Sequence, residues 1–393
     1  MKKIILGFVL ILFSFSCEST DGVSDGEYSI DLDTREIGDV SVPDPGNGNG
    51  NNTPAGKITA GEWNDLSNWE FWNTLINSQD YNKYKNSWSF NTAQRIAVKV
   101  LKTNQNPFNN ARVSLYKNDE LLTETKTDNL GEANFFINMF DSSGESTKLI
   151  EYSININGIA QETVLSFGES VHTFILNKKD DAIENKIELA FMVDATGSMS
   201  DELEFLKNDL TDVINKVKNS NEGSTINTAA VFYRDHGDAY VTKRSDFSAS
   251  IKTTSQFIKQ QFANGGGDYP EAVDEALLET VNDLQWSNTS KTRIAFLLLD
   301  APPHDNIQVS ANLENAIKAS IKKGIKLIPI VASGIDKNTE FLMRYFAIAT
   351  NGTYVFITDD SGIGNDHLEP TIGAYKVEFL NDLLVRLINK YAK

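Results

Sequence analysis

The sequence is poor in cysteine and in positive charge. A single cysteine among 393 residues, Cys17, excludes an internal disulfide framework and any multi-thiolate metal site. A formal net charge of −18 leaves nothing to release counterions from a phosphate backbone, so a nucleic-acid partner is excluded. There is no HExxH, no GxSxG elbow, and no Lys-Ser/Thr after the glycine run at 265–267. Zincin, α/β-hydrolase and P-loop chemistry therefore each lack their motif. The apolar run IILGFVLILF at 4–13 is too short to span a bilayer comfortably.

What is present begins with that run. Lys2 and Lys3 precede it and Ser14 and Ser16 follow, the pattern of an export signal over residues 1–16. Cys17 stands where a cleaved chain would begin, and "FSFSC" resembles a bacterial lipobox, whose cysteine carries a diacylglycerol anchor. Ordinary cleavage after Ser16 is the alternative. Residues 17–56 are polar and acidic and end in DPGNGNGNNTPAG, which cannot bury enough apolar surface to offset backbone ordering. They read as a lipid-anchored, disordered linker at the cell envelope. A membrane is met only through the N-terminal lipid.

Composition, with 40% hydrophobic and 23% charged residues, is that of a soluble globular protein long enough for two or three domains. Residues 57–92 hold Trp63, Trp69, Trp72 and Trp88 out of five tryptophans. Such rings either form a stacking platform or pack a small helical cap on a neighbouring domain, and burial is their commoner use. Over 93–180 seven runs alternate with period two between turn clusters: RIAVKVLK, ARVSLYK, LLTETKT, EANFFI, KLIEYSININ, QETVLSF and VHTFIL. Seven short strands predict a β-sandwich. The stretch with Thr127, Asp128 and Gly131 in its turn resembles transthyretin-like or carboxypeptidase-regulatory-like modules, which implies spacing and presentation rather than chemistry.

From about residue 185 to 393, short apolar runs (IELAFMV, INTAAVFY, RIAFLLL, KLIPIV, TYVFIT) alternate with stretches at helical spacing. Leu203, Leu206, Leu210, Val213 and Val217 are one such stripe, and the final helix is expected from about Ala374 to Lys390. This predicts an α/β, Rossmann-like domain with a mostly parallel central sheet flanked by helices. Pro329 within KLIPIV demands an edge, a bulge or a missing bond, and AYVTKR after RDHGD predicts an antiparallel edge partner.

Ligands of such sheets sit beyond the carboxyl ends of the strands. There the sequence places Asp194, Thr196 and Ser198, then Arg234, Asp235 and His236, then Asp268 in GGGDYPEA, then Asp300, His304 and Asp305. Asp194, Thr196, Ser198, Asp268 and Asp300 offer only hard oxygen donors, the chemistry of Mg²⁺, Ca²⁺ or Mn²⁺, with Mg²⁺ favoured. Asp268 has a second use as a helix N-cap before Pro270. His236 and His304 could act as general acid or base, or orient loops as Arg234 and Asp235 would; all four are candidates for supporting the site or touching its ligand. The loop with Asp359, Asp360 and Asp366 reads as a solvated acidic segment.

At DATGSM and the later strand ending in Asp, the sequence resembles the von Willebrand factor type A family with its metal-ion-dependent adhesion site. The resemblance implies that Asp194, Thr196 and Ser198 form the first metal loop, with Thr196 in place of a serine, and that Asp300 is the third-loop aspartate. Gly265-Gly266-Gly267-Asp268 departs from the family's Gly-Gly-Thr. The implied protein is an envelope binding or adhesion protein, not an enzyme, that captures a protein or glycan. A metal-dependent hydrolase, or an assembly factor with a structural metal, is the alternative.

Overall fold

The computed structural model describes residues 36–37, 55–141, 151–177 and 183–393; the export signal, Cys17 and most of the linker lie outside the described residues. Within the linker, Glu36–Ile37 forms β1. The aromatic segment folds as β2 (Thr59–Trp63), α1 (Trp69–Asn77) and α2 (Gln79–Trp88).

Seven strands follow: β3 (Arg95–Lys102), β4 (Arg112–Lys117), β5 (Glu120–Lys126), β6 (Glu132–Phe136), β7 (Tyr152–Ile156), β8 (Ile159–Gln161) and β9 (Val171–Leu176). They form a three-stranded sheet, β6-β3-β9, and a four-stranded sheet, β5-β4-β7-β8. Alternate residues of both, such as Ile96, Val98 and Val100 against Val113, Leu115 and Ile154, share one core. The turn of Thr127, Asp128 and Gly131 is built as its residues suggest. Asp128 Oδ1 accepts from the N–H groups of Leu130 and Glu132, and Gly131 has φ +74° with the Val100 carbonyl where a Cβ would stand. QETVLSF, expected to be a strand, is not one. Asn157 (φ 51°) and Gly158 (φ 86°) make a tight hairpin turn that pairs residues 159–161 with β7, and the chain beyond Gln161 leaves the sheet.

The head comprises β10 (Glu184–Asp194), α3 (Leu203–Ser220), β11 (Thr225–Tyr233), β12 (Thr242–Ser248), α4 (Ile251–Lys259), α5 (Val273–Leu278), β13 (Ser290–Leu299), α6 (Ile307–Lys323), β14 (Lys326–Val331), α7 (Lys337–Ala349), β15 (Tyr354–Ile357), β16 (Lys376–Phe379) and α8 (Leu380–Ala392). Strands β11, β10, β13, β14 and β15 are successive parallel neighbours, and β12 pairs antiparallel at the edge beside β11. Along β10, Ala190 and Met192 face one core with α5, α6 and α7, while Leu189, Phe191 and Val193 face the other with α3 and α8. Burial on both faces explains the unbroken apolar runs. Pro329 sits opposite Leu297 inside the sheet, and the β14–β15 ladder starts only at Ile330, so the missing N–H falls where β15 has not yet joined.

Two boundaries differ from the expectation. The final helix starts at Leu380 rather than near Ala374, because Lys376 and Val377 pair with β1, Glu378 and Phe379 pair with β2, and Val377 enters the sheet core. The aromatic segment is not a separate unit: β2 lies between β15 and β16, antiparallel to both. The nine-stranded sheet is thus drawn from both sides of the two-sheet unit in sequence.

The tryptophans cover α7 as a helical cap. Trp72 stacks on Phe341 at 5.7 Å, Phe90 on Tyr345 at 4.2 Å, and Trp88 Nε1 donates to Asn338 Oδ1 at 2.8 Å. Consequently α7 is buried from Thr339 to Ala349, including Arg344. Asp65 answers that charge with a bidentate pair, to Arg344 Nε at 2.9 Å and Nη2 at 2.6 Å, while Glu340 and the Thr371 carbonyl take Nη1. At the other face the Gly56 N–H donates to Asp209 Oδ1 of α3 at 2.6 Å; Oδ2 of the same carboxylate is buried without a partner.

Asp65→Ala removes the bidentate partner of Arg344 and leaves only Glu340 against the buried charge, and is expected to lower stability by up to about 3–5 kcal/mol in urea unfolding. A loss near zero would mean that the pair does not hold the cap. Asp209 predicts a pH effect. Burial foremost, then the neighbouring Asp212 and Asp382 against Lys216, raises its pKa from 3.8 to about 7. A raised carboxylate contributes stability that is whole below about pH 4 and is lost as pH climbs through 7. Asp209→Asn should therefore reduce the fall in melting temperature between pH 5 and 8 relative to wild type; parallel curves would refute the assignment.

Candidate metal centre

Asp194 ends β10 and Asp300 follows the end of the neighbouring β13, so parallel pairing alone brings two carboxylates to one edge of the sheet. Both are buried, at 0% and 4% exposure. Asp194 Oδ1 accepts from the Thr196 N–H at 2.9 Å and the Thr196 hydroxyl at 2.7 Å, and that hydroxyl lies 3.2 Å from Ser198 Oγ. Ser198 also acts on Asp300, favouring its ionised form. The alternating side chains of residues 194, 196 and 198 thus form one chain of oxygen atoms.

The second loop closes over the first through backbone. Gly197 N–H donates to the Gly265 carbonyl at 3.1 Å and Asn264 N–H to the Ala195 carbonyl at 3.0 Å. Gly266, at φ +72°, fits because a Cβ there would stand 2.9 Å from Glu271 Oε1 and 3.3 Å from Thr196 Cβ. Glu271 is therefore the carboxylate that this loop delivers. Its N–H donates to the Pro302 carbonyl at 2.9 Å, which pins it beside the loop that carries Asp300, and its side chain is buried. Asp268 is not brought in. It is exposed and takes no part in these hydrogen bonds, nor does it cap a helix, since α5 begins at Val273 with Ala272 at its cap. Asp268 was singled out for its place next to the glycines, whereas the bridge at Glu271 sets which carboxylate turns inward. The Pro270-Glu271 pair was the available signal.

Burial and crowding show in the acidities. Burial foremost raises Asp194 from 3.8 to about 6. Asp300 rises to about 8 through burial and the charge of Asp194, and Glu271 to about 9 through burial and the charges of Asp194, Asp235, Asp300 and Asp238. One oxygen of each stays buried and unpaired: Asp194 Oδ2, Asp300 Oδ1 and Glu271 Oε2; the fully buried Tyr233 hydroxyl beside them is unpaired too. Orphaned buried carboxylate oxygens are costly unless a cation meets them. Among the described residues no three His, Cys, Asp or Glu side chains by themselves converge tightly enough to hold a metal. The donor set is mixed, carboxylates with hydroxyls, and such an all-oxygen set fits a hard divalent ion.

The remaining candidates hold the loops. Arg234 is buried, donates to the Ala195 carbonyl at 3.0 Å and the Phe262 carbonyl at 2.8 Å, and lies over the Tyr240 ring at 4.6 Å. His304 Nε2 pairs with Asp235 at 2.8 Å and His236 Nε2 with Glu275 at 3.1 Å, so both imidazoles are engaged beside the cluster. Glu202, not foreseen, ties the rim together: its Oε1 accepts from the Ser333 N–H at 3.1 Å and meets His367 Nε2 at 3.0 Å, while Asp359 takes His367 Nδ1 at 2.7 Å. The acidic loop is therefore partly paired.

Residues 188–362 match the family model for the von Willebrand factor A domain. Over 135 residues the chain is 33% identical to an ariadne-like RING finger protein of Acanthamoeba polyphaga mimivirus, and over 175 residues it is 26% identical to the alpha-protein kinase vwkA of Dictyostelium discoideum. These matches take in 34% and 44% of this chain but only 13% and 27% of those relatives. Among solved structures, BatB from Bacteroides thetaiotaomicron aligns at 14% identity and a TM-score of 0.34, over 52% of this chain and 98% of its own. The pilus adhesin SpaC from Lactobacillus rhamnosus GG aligns at 11% and 0.35, over 55% and 31%. Over residues 188–362 this chain is similar to the von Willebrand factor A domain.

Proposed function

We propose that the head is a divalent-cation-dependent binding module that captures a protein or glycan partner in the cell envelope, to which the chain is held by a lipid on Cys17. The observation that carries this reading is the set of unpaired, buried carboxylate oxygens of Asp194, Asp300 and Glu271 around the Thr196 and Ser198 hydroxyls. Asp194, Asp300, Thr196 and Ser198 would hold the ion, with the Glu271 carboxylate beside them adding negative charge. A bound divalent cation supplies a Lewis-acidic position that a partner's oxygen can enter. Arg234 and the His304–Asp235 pair keep the loops in register around it.

Three carboxylates crowded in a dry pocket make cation binding and folding interdependent. Mg²⁺ is expected to raise the melting temperature of the wild-type chain in a saturable way. Asp194→Ala should abolish that rise. Glu271→Gln should weaken Mg²⁺ at least tenfold by titration calorimetry, whereas Asp268→Asn leaves it nearly unchanged; the reverse order would assign the second loop to Asp268. Capture of a partner from envelope extracts should disappear with EDTA and in Asp194→Ala, and capture insensitive to both would defeat the binding reading.

A further inference from the structure

Far from the metal centre, the amino end of the head sheet meets the two-sheet unit. β5 contributes Lys126, the start of β13 contributes Lys291 and Arg293, and β14 contributes Lys326, all lining one small cavity of about 30 Å³. In a chain of net charge −18 this gathering is exceptional. Few carboxylates oppose it: Asp128 is spent on Lys326 at 2.9 Å, Glu188 accepts from the Ser287 N–H, and Glu124, whose charge also acts on Lys126, is shared with Lys322. Arg293 is 4% exposed; its Nε donates to the Ser287 carbonyl at 2.6 Å and its Nη1 to Asn110 Oδ1 at 3.2 Å, but its Nη2 is buried with no partner. Lys126 Nζ reaches only a carbonyl, that of Asn288, at 3.0 Å.

We propose that this junction binds one small oxyanion of the phosphate or sulfate type, held by Arg293 and Lys126. The unpaired Nη2 supplies a donor with no other use, and a guanidinium is the group best shaped for an oxyanion. The two cations also oppose each other. Burial first, then the charge of Arg293, lowers Lys126 to about 8, and burial lowers Arg293 to about 10 against the pull of Glu188. An anion between them would relieve both effects. About 10–15 Å³ of such space is needed per water, so the cavity takes two waters or one compact anion. The ligand is a free inorganic anion of that size, bridging the head and the two-sheet unit.

The test is titration calorimetry of the full chain with inorganic phosphate, at constant ionic strength and in EDTA so that the metal centre does not contribute. One saturable site is expected. Lys126→Met, at a half-buried position that should not threaten folding, is expected to weaken it at least tenfold, and Arg293→Lys to weaken it likewise. Lys318→Met removes the same charge from α6 outside this cavity and is expected to leave affinity unchanged, with melting curves confirming that each variant is folded. Absence of saturable binding to the wild-type chain, or equal affinity in Lys126→Met and Lys318→Met, overturns the proposal.

Discussion

Three carboxylates kept out of water at one rim of the sheet are the constraint around which the head is arranged. Asp194 and Asp300 come from adjacent parallel strands, and Glu271 is fastened next to them by its backbone bond to the Pro302 carbonyl. Left to themselves, such groups repel one another and resist ionisation, as their raised pKa values express. The loops around them are accordingly stitched from several sides, by Arg234 to the first and second loops and by Glu202 to Ser333 and His367. A rim under this electrostatic load keeps its shape only if the structure beneath it is rigid.

That rigidity has two sources. Long apolar strands pack on both faces, with α3 and α8 on one side and α5, α6 and α7 on the other. The second source is the aromatic segment, which seals α7 and supplies Asp65 to the Arg344 guanidinium. Because β2 lies inside the head sheet, the two-sheet unit is inserted into the head in sequence, with chain leaving through β2 and returning through β10. Lys326 to Asp128 and the Asn129 amide to the Lys390 carbonyl tie that insertion to the head. The two parts therefore meet along a polar seam rather than through one flexible linker.

Much of this architecture was readable in advance because it depends on local pattern. KLIPIV and RIAVKVLK correspond residue for residue to β14 and β3, since period and β-branching set a strand wherever it lands. The stripe from Leu203 to Val217 is the buried face of α3 for the same reason. Other features depended on partners distant in sequence. Residues 376–379 carry apolar spacing compatible with a helix, yet β1 and β2 offer them ladders, and pairing prevails over propensity. The residues after Gln161 alternate like a strand but join no ladder among the described residues.

The same division holds at the candidate site. Sequence by itself determined the first loop and Asp300, because alternation over three residues and a strand ending in aspartate are local facts. It also set the fold class, and with it the edge where ligands gather. Only the tertiary structure decided that Glu271 rather than Asp268 turns inward, that the tryptophans cover α7, and that Arg293 meets Lys126 at the far end. Each of those depends on which distant backbone lies three to five ångströms away, a quantity that no spacing along the chain contains.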